Sequence, residues 1–135
     1  MQKTLPILVV EDDQDLLEAV CATIKLSGYE AVAAANGHGA LTVIQTQQIG
    51  MVVSDVQMKP MDGLTLLKKI KSLSPELPVL LMTAYREIDK AITAMRTGAC
   101  DYLLKPFDPD SLLVYIKRYA LSEFDQDSSM IANDP

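Results

Sequence analysis

Short apolar runs alternate with amphipathic stretches along the chain as far as about residue 121. Several runs are continuously apolar, which is typical of strands that are buried on both faces of a sheet. Most are bounded by Gly, Pro, Asn or Asp, the residues that commonly form turns. The runs are Ile7–Val10, Glu30–Ala35, Met51–Ser54, Val79–Met82 and Asp101–Leu104. They predict five β-strands.

Helical periodicity fills most of the gaps between these runs. Apolar residues recur there at a spacing of three or four, which places them on one face of a helix. Gly28 and Gly98 follow two of these segments and are predicted to end the helices. The four apolar faces are Leu17, Val20, Cys21 and Ile24; Leu66, Leu67, Ile70 and Leu73; Ile88, Ala91, Ile92 and Met95; and Leu112, Leu113 and Ile116.

The strict alternation of strand and helix predicts the fold class. Parallel strands need crossover connections, and helices supply these on both faces of the sheet. We therefore predict an α/β fold, a (βα)5 doubly wound parallel sheet of five strands. Residues 1–121 form this domain, and the polar, acidic residues 122–135 are predicted to be a linker or tail. Ligands of such folds bind beyond the carboxyl ends of the strands.

Composition narrows the classes of function. The 135 residues include 18 acidic and 12 basic side chains, a net charge of −6. This balance argues against nucleic-acid binding by the domain, because phosphate backbones select for a surplus of Lys and Arg. No segment approaches the roughly 20 apolar residues of a membrane-spanning helix. The amino terminus lacks a signal peptide, so a cytoplasmic location without membrane contact is predicted.

The cysteines and the histidine add little chemistry. Cys21 and Cys100 lie in apolar periodic segments, which indicates reduced, buried thiols and not a disulfide framework. His38 is the single histidine, so a zinc site is not predicted.

Four of the five predicted strands end in polar residues that a core does not require. The first runs into Glu11–Asp13, the third into Asp55, the fourth into Thr83 and the fifth into Lys105. Neighbouring strands of a sheet lie only about 5 Å apart. The fold is therefore expected to gather at least three carboxylates, one hydroxyl and one ammonium group in a single cleft.

This combination of groups points to a specific chemistry. Crowded carboxylates repel one another, so a cation must neutralise them or some must take up protons. Oxygen ligands without Cys or His favour Mg²⁺, which combines one or two carboxylates with water and phosphate. A cation, Lys105 and Thr83 around one carboxylate are what phosphoryl transfer to that carboxylate needs. Asp55 holds the middle position and is the predicted nucleophile.

Several polar residues also have a simpler interpretation. Asp13 and Asp15 fit the amino terminus of a helix, where acidic side chains interact favourably with the helix dipole. Asp62, before Gly63, fits loop and cap chemistry. Thr83 could simply bond the backbone at a strand end. Taken alone, Tyr102 is an ordinary half-buried strand aromatic.

Four segments together resemble the receiver domain of two-component response regulators. They are ILVVEDD (7–13), VVSDVQMKPMDGL (52–64), LPVLLMTAY (77–85) and GACDYLLKPF (98–107). The resemblance covers about residues 5–121 and implies a flavodoxin-like receiver fold. It further implies that a sensor histidine kinase donates a phosphoryl group to Asp55 in the presence of Mg²⁺.

The resemblance assigns roles to matching positions. Asp12 would bind Mg²⁺ directly and Glu11 through water, and the backbone carbonyl of Gln57 would be a further ligand beside Asp55. Lys105 would contact the phosphoryl group, and its bond to the following proline would be cis.

A second set of positions would carry the signal. Thr83 would move toward the phosphoryl group, and Tyr102 would rotate inward after it. This pair would switch the surface formed by the fourth helix, the fifth strand and the fifth helix. Side chains at Gln57 and Tyr85 would tune the lifetime of the acyl phosphate.

Two positions depart from the usual pattern of the family. Glu11 stands where the family often has Asp, a change that leaves metal binding intact. Lys59 stands where the family usually has proline, and it puts another cation near the site, which could alter the lifetime of the phosphate.

The finer resemblance is to receivers of nitrogen-regulator-type, sigma-54-dependent activators. DVQM (55–58), AMRTGACDYLLKPF (94–107) and KRYA (117–120) resemble their flagellar branch. This implies that the natural protein continues into an ATPase module and a DNA-binding domain that regulate transcription. A homodimer is left open.

Three other functions compete with the switch. A phosphohydrolase of the haloacid-dehalogenase kind expects a second aspartate where this chain has Gln57, so we predict no enzyme beyond slow self-dephosphorylation. A degenerate receiver could act as a phosphorylation-independent binding module, although Asp12, Asp55, Thr83 and Lys105 argue against it. A flavodoxin-like cofactor carrier is disfavoured, because no Gly/Ser/Thr-rich phosphate loop follows the first strand.

Overall fold

Five strands and five helices alternate along residues 3–123, the part of the chain that the computed structural model describes. The strands are β1 (Ile7–Val10), β2 (Ala31–Ala34), β3 (Met51–Asp55), β4 (Val79–Ala84) and β5 (Asp101–Lys105). The helices are α1 (Gln14–Leu26), α2 (Gly37–Thr46), α3 (Gly63–Leu73), α4 (Ile88–Thr97) and α5 (Pro109–Tyr119). A short 3₁₀ turn, Tyr85–Glu87, precedes α4.

The strands form one parallel sheet in the order β2-β1-β3-β4-β5. The chain steps outward from β1 to β2 and then returns to the other side of β1 to form β3. The strand order therefore reverses between β1 and β3, and this switch point is where such folds bind ligands. The predicted fold class, a (βα)5 doubly wound sheet with a flavodoxin-like receiver topology, is confirmed.

Both faces of the sheet are buried. Leu8 and Val10 of β1 pack in a core with residues of α2, α3 and α4, whereas Ile7 and Val9 pack in a second core with α1 and α5. Each large aliphatic side chain buried in this way contributes about 1.5–3 kcal/mol. The two cores explain why the strands read as continuous apolar runs and not as alternating ones.

Four helices begin with a side-chain cap that satisfies a backbone N–H of the first turn. Asp13 accepts from the Leu16 N–H at 3.2 Å, and Asp62 accepts from the Thr65 N–H at 2.8 Å. The simpler, cap interpretation of these two acidic residues is confirmed. The other two capping residues are Asn36 for α2 and Asp108 for α5.

Two glycines stand at helix ends, as predicted. Gly98 is the C-cap of α4 with φ of +119°, and Gly28 follows the C-cap of α1, Ser27, with φ of +93°. Both angles lie in the left-handed region, which glycine adopts without the steric penalty of a Cβ atom.

The predicted apolar face of α4 is wrong at two positions. Ile92 is 47% exposed and Met95 is 40% exposed, whereas Ala91 and Ala94 are buried. Helix α4 lies against β4, β5 and α3 at the edge of the sheet, so only a narrow stripe of its surface is covered. Leu73 is also exposed. It lies at the end of α3, where neighbouring elements cover the helix incompletely.

The chain after α5 turns back to the amino-terminal segment. The Leu121 N–H donates to the Gly50 carbonyl at 2.9 Å, and the Glu123 N–H donates to the Lys3 carbonyl at 2.9 Å. Residues 124–135, most of the predicted linker, lie outside the described residues, so the domain boundary stays a prediction.

Cys21 and Cys100 are free thiols, and Cys21 is buried while Cys100 is half-buried. Burial, with the nearby charge of Asp101, raises the pKa of Cys100 to about 11, so this thiol stays protonated at neutral pH.

Among residues 3–123, none of the helices combines the length and the apolar character that crossing a bilayer requires.

Candidate functional site

The parallel register places the ends of β1 and β3 side by side. Val10 is the register partner of Ser54, so the following residues, Glu11 and Asp55, are neighbours across the switch point. Carboxylate oxygens of Glu11, Asp12 and Asp55 lie within 4.8 Å of one another. The structure thus brings together the three carboxylates that the sequence singled out, at the edge of the sheet where ligands were expected.

The three carboxylates differ in their exposure. Glu11 is 1% exposed and Asp55 is also buried, whereas Asp12 is exposed. Asp55 is the last residue of the central strand β3, and its backbone is held by pairing with Met82 of β4. The cleft therefore has a buried carboxylate held by the sheet and a solvated carboxylate, Asp12, at its rim.

Lys105 is the last residue of β5, and its side chain extends to this cluster. Its Nζ atom lies 2.8 Å from Oε1 of Glu11 and 3.2 Å from Oδ1 of Asp55. One ammonium group therefore bridges two carboxylates that come from different strands. The peptide bond between Lys105 and Pro106 is cis, as expected, and so is the bond between Lys59 and Pro60.

For both Glu11 and Lys105, burial and the contact between the two side chains shift the pKa in opposite directions. Burial raises the pKa of Glu11, and the charge of Asp55 adds to the effect, although hydrogen bonds from Lys105 and the Asp13 N–H oppose it. Burial alone would lower the pKa of Lys105, but its hydrogen bonds and charge interactions with Glu11 and Asp55 outweigh burial and raise it. Lys105 is therefore an ammonium ion at neutral pH.

Thr83 lies beside the cluster inside β4. Asp55 pairs with Met82, so Thr83 is one residue farther along the neighbouring strand. It is fully buried, and its hydroxyl donates to the carbonyl of Ala84 at 3.3 Å. In this state the hydroxyl makes the simple backbone contact, and its movement toward a phosphoryl group stays a prediction.

The remaining predicted residues lie on β5, in the loop after β3 and in the 3₁₀ turn. Tyr102 is half-buried on β5 and packs against the core under α2, α3 and α4. Gln57 is exposed in the loop after β3, and Tyr85 is exposed at the start of the 3₁₀ turn. The roles assigned to Gln57, Tyr85 and Tyr102 stay predictions.

Two structural contributors to the site were not predicted. The backbone N–H of Asp13 donates to Oε2 of Glu11 at 3.1 Å. Asp13 is the N-cap of α1, so this N–H has no acceptor within the helix. Gly63 packs against the backbone at Asp55 and Val56, and its N–H donates to the Val56 carbonyl at 2.7 Å. The feature of the sequence that could have identified Gly63 is its position directly after the predicted cap Asp62.

The donor set fits a divalent hard cation. It consists of carboxylate oxygens, which are the ligands that Mg²⁺ prefers. Three carboxylates and one ammonium group leave a formal charge of −2 in the cleft. A cation with two positive charges would balance it.

Known proteins resemble this chain in sequence and in fold. The sequence profile of the response regulator receiver domain matches residues 7–117. The response regulator protein FleR of Pseudomonas aeruginosa is 48% identical over 117 residues, which are 87% of this chain and 25% of FleR. The transcriptional regulatory protein ZraR of Escherichia coli K12 is 41% identical over 114 residues, 84% of this chain and 26% of ZraR.

A solved structure is also similar. The crystal structure of the receiver domain of NtrX from Brucella abortus matches with a TM-score of 0.81 and 35% sequence identity, covering 84% of this chain and 96% of that one. The chain spans about a quarter of the length of the two curated relatives. The match in sequence and in fold extends over nearly all the described residues, and the chain belongs to the family of response regulator receiver domains.

Proposed function

We propose that the chain is a phosphorylation-driven switch in which Asp55 accepts a phosphoryl group from a sensor histidine kinase. One observation carries the proposal: the Lys105 ammonium lies 3.2 Å from Asp55 at the switch point of the sheet, with Glu11 and Asp12 beside it. A fixed carboxylate with a cation next to it can attack phosphorus while the developing charge is neutralised.

The transfer exchanges one bond for another. An oxygen of Asp55 forms a bond to phosphorus as the bond from phosphorus to the nitrogen of the donor histidine breaks. Lys105 would pair with a phosphoryl oxygen, and the Thr83 hydroxyl would turn from the Ala84 carbonyl to hydrogen-bond another. Asp12, Asp55, Glu11 and the carbonyl of Gln57 would hold Mg²⁺, which when bound offsets charge on the phosphoryl oxygens.

The signal would then leave through the face formed by α4, β5 and α5. The acyl phosphate carries nearly two negative charges where the carboxylate carried one, and three phosphoryl oxygens now lie next to Lys105, a change that can bias a two-state element. Thr83, next to the register partner of Asp55 on β4, and Tyr102, on β5 itself, would relay the change to this face. Ile92, Met95 and Leu104 are exposed apolar residues on it, which supports a role in contacting an output module or a second copy of the chain.

The output is proposed to be transcription. The relatives are named as a response regulator and a transcriptional regulatory protein, and each is about four times as long as the matched segment. We propose a sigma-54-dependent activator with an ATPase module and a DNA-binding domain, of the flagellar branch and located in the cytoplasm. Within this chain the phosphoryl group stays on Asp55 until slow hydrolysis, without turnover of a small substrate.

The first experiment is phosphorylation with a small donor. The purified chain, incubated with Mg²⁺ and acetyl phosphate, is expected to gain one phosphoryl group by intact mass. The gain should disappear when Mg²⁺ is chelated, because the crowded carboxylates then repel the anionic donor. If no mass is gained under conditions that label a known receiver, the degenerate binding module is favoured instead.

The relay through Thr83 can be tested separately from the transfer. Thr83→Val removes the hydroxyl at nearly constant volume and is expected to accept the phosphoryl group but to lose most of the response at α4 and β5. Backbone amide chemical shifts, measured with and without Mg²⁺ and acetyl phosphate, report both steps. Thr42→Val, an exposed position on α2, is the matched control. Equal shift changes in Thr83→Val and the wild type would refute the relay.

A further inference from the structure

Glu11 uses both of its carboxylate oxygens for contacts within the protein. Oε1 accepts a hydrogen bond from Nζ of Lys105 at 2.8 Å, and Oε2 accepts one from the Asp13 N–H at 3.1 Å. The side chain is almost fully buried. The contact with Lys105 is the stronger one, because hydrogen bonds between two charged groups are shorter and stronger than those to a neutral donor.

Lys105 is held more closely by Glu11 than by Asp55. The two distances are 2.8 Å and 3.2 Å, and Asp55 is the other carboxylate that pairs with this lysine within residues 3–123. A lysine side chain has four rotatable bonds and loses about 2 kcal/mol of rotamer freedom when it is fixed. Glu11, which is buried and makes the shorter contact, is therefore the closer of the two carboxylates that hold the ammonium next to the acceptor.

The length of the Glu11 side chain decides whether it can reach Lys105. An aspartate at this position would withdraw its carboxylate by about 1.5 Å, the length of one C–C bond. The contact of 2.8 Å would then fall outside hydrogen-bonding range. The charge of the cluster, however, would be unchanged.

We propose that Glu11 is a positioning residue that holds Lys105 beside Asp55, and that this contact competes with Mg²⁺ for the same carboxylate. The inference deepens the proposed function and rests on it for the metal. The ammonium pairs with Glu11 and Asp55, two of the three carboxylates that would surround a divalent cation, and the two cations would repel each other. By thermodynamic linkage, if the metal weakens the contact between Glu11 and Lys105, that contact weakens metal binding by the same factor.

The test is the dissociation constant for Mg²⁺, measured without any phosphoryl donor. Glu11→Asp is expected to lower this constant about three- to tenfold, because the carboxylate stays available to the metal but no longer reaches the lysine. Tyrosine fluorescence or amide chemical shifts can follow the titration. Glu18→Asp makes the same change at an exposed position of α1, where Glu18 contacts Gln14, and should leave the constant unaltered.

A double-mutant cycle with Lys105→Met separates competition from a direct effect on the metal. With Lys105 absent, Glu11→Asp should change the Mg²⁺ dissociation constant less than twofold. Equal changes in both backgrounds, or weaker binding in Glu11→Asp alone, would overturn the inference while leaving the proposed function intact. A wild-type chain that binds no Mg²⁺ would overturn both.

A metal-free measurement checks the positioning directly. The ¹⁵N-labelled ammonium signal of Lys105, identified by its loss in Lys105→Met, should exchange slowly with water in the wild type. Glu11→Asp should accelerate this exchange, whereas Glu18→Asp should not. Unchanged exchange in Glu11→Asp would show that Asp55 alone holds the lysine and would overturn the inference.

Discussion

Asp55→Asn is expected to abolish phosphorylation by acetyl phosphate and Mg²⁺. The amide has nearly the shape of the carboxylate, so the strand end is preserved, but its oxygen is a far poorer nucleophile than a carboxylate oxygen. Intact mass should show the wild type gaining one phosphoryl group and the variant gaining none. The expected loss is complete within the sensitivity of the measurement.

The neighbouring groups are poor substitutes for Asp55. Both oxygens of Glu11 are engaged by Lys105 and the Asp13 N–H, and the side chain is buried. Asp12 is exposed at the rim, where its charge is solvated. The hydroxyl of Ser54 donates to the Asp55 carbonyl at 3.0 Å, and the residue is buried.

Asp62→Asn is the matched control for this substitution. It makes the same chemical change seven residues later, where the side chain only caps α3. Asn and Asp are about equally good N-caps, so both phosphorylation and stability should be close to those of the wild type. A phosphoryl group on another side chain of Asp55→Asn in comparable yield, located by peptide mapping, would contradict the assignment of the acceptor.

The parallel sheet and the residues at the ends of its strands could be predicted because both follow from local pattern. Continuous apolar runs indicate strands covered on both faces, and the alternation with helices dictates a parallel sheet. Parallel strands then align their carboxyl ends, so Glu11, Asp12, Asp55 and Lys105 had to meet. The bounds of four strands differed: β2 is one residue shorter at each end than predicted, whereas β3, β4 and β5 extend by one or two residues and include Asp55, Thr83 and Lys105.

Other features depend on tertiary packing that periodicity does not report. Ile92 and Met95 fit a helical stripe, but α4 lies at the sheet edge and buries only its alanines. Helix α2, with its small and weakly patterned residues, was not located individually, although Asn36 before Gly37 was a usable cap signal. The contact between Glu11 and Lys105 depends on side-chain reach across two intervening strands.

Gly63→Ala is expected to destabilise the domain by about 1–3 kcal/mol, the typical range for overpacking. An ideal Cβ at Gly63 would lie 2.8 Å from Cα of Val56 and in contact with the backbone oxygen of Asp55. These are backbone atoms, and the end of β3 is paired with β4 and cannot move freely. The φ angle of Gly63 is not positive, so the effect comes from space alone.

A comparison with Gly39→Ala tests whether Gly63→Ala lowers the free energy of unfolding because space is lacking at Gly63. Alanine is a better helix former than glycine by about 1 kcal/mol. At Gly39, in the first turn of α2, an ideal Cβ would meet atoms no closer than 3.5 Å. Urea unfolding followed by circular dichroism should therefore show Gly39→Ala as stable as the wild type or more so, and Gly63→Ala well below it. If both variants were equally stable, the backbone of Asp55 would not be packed against α3 as described, and the rigidity ascribed to the phosphoryl acceptor would have to come from the sheet alone.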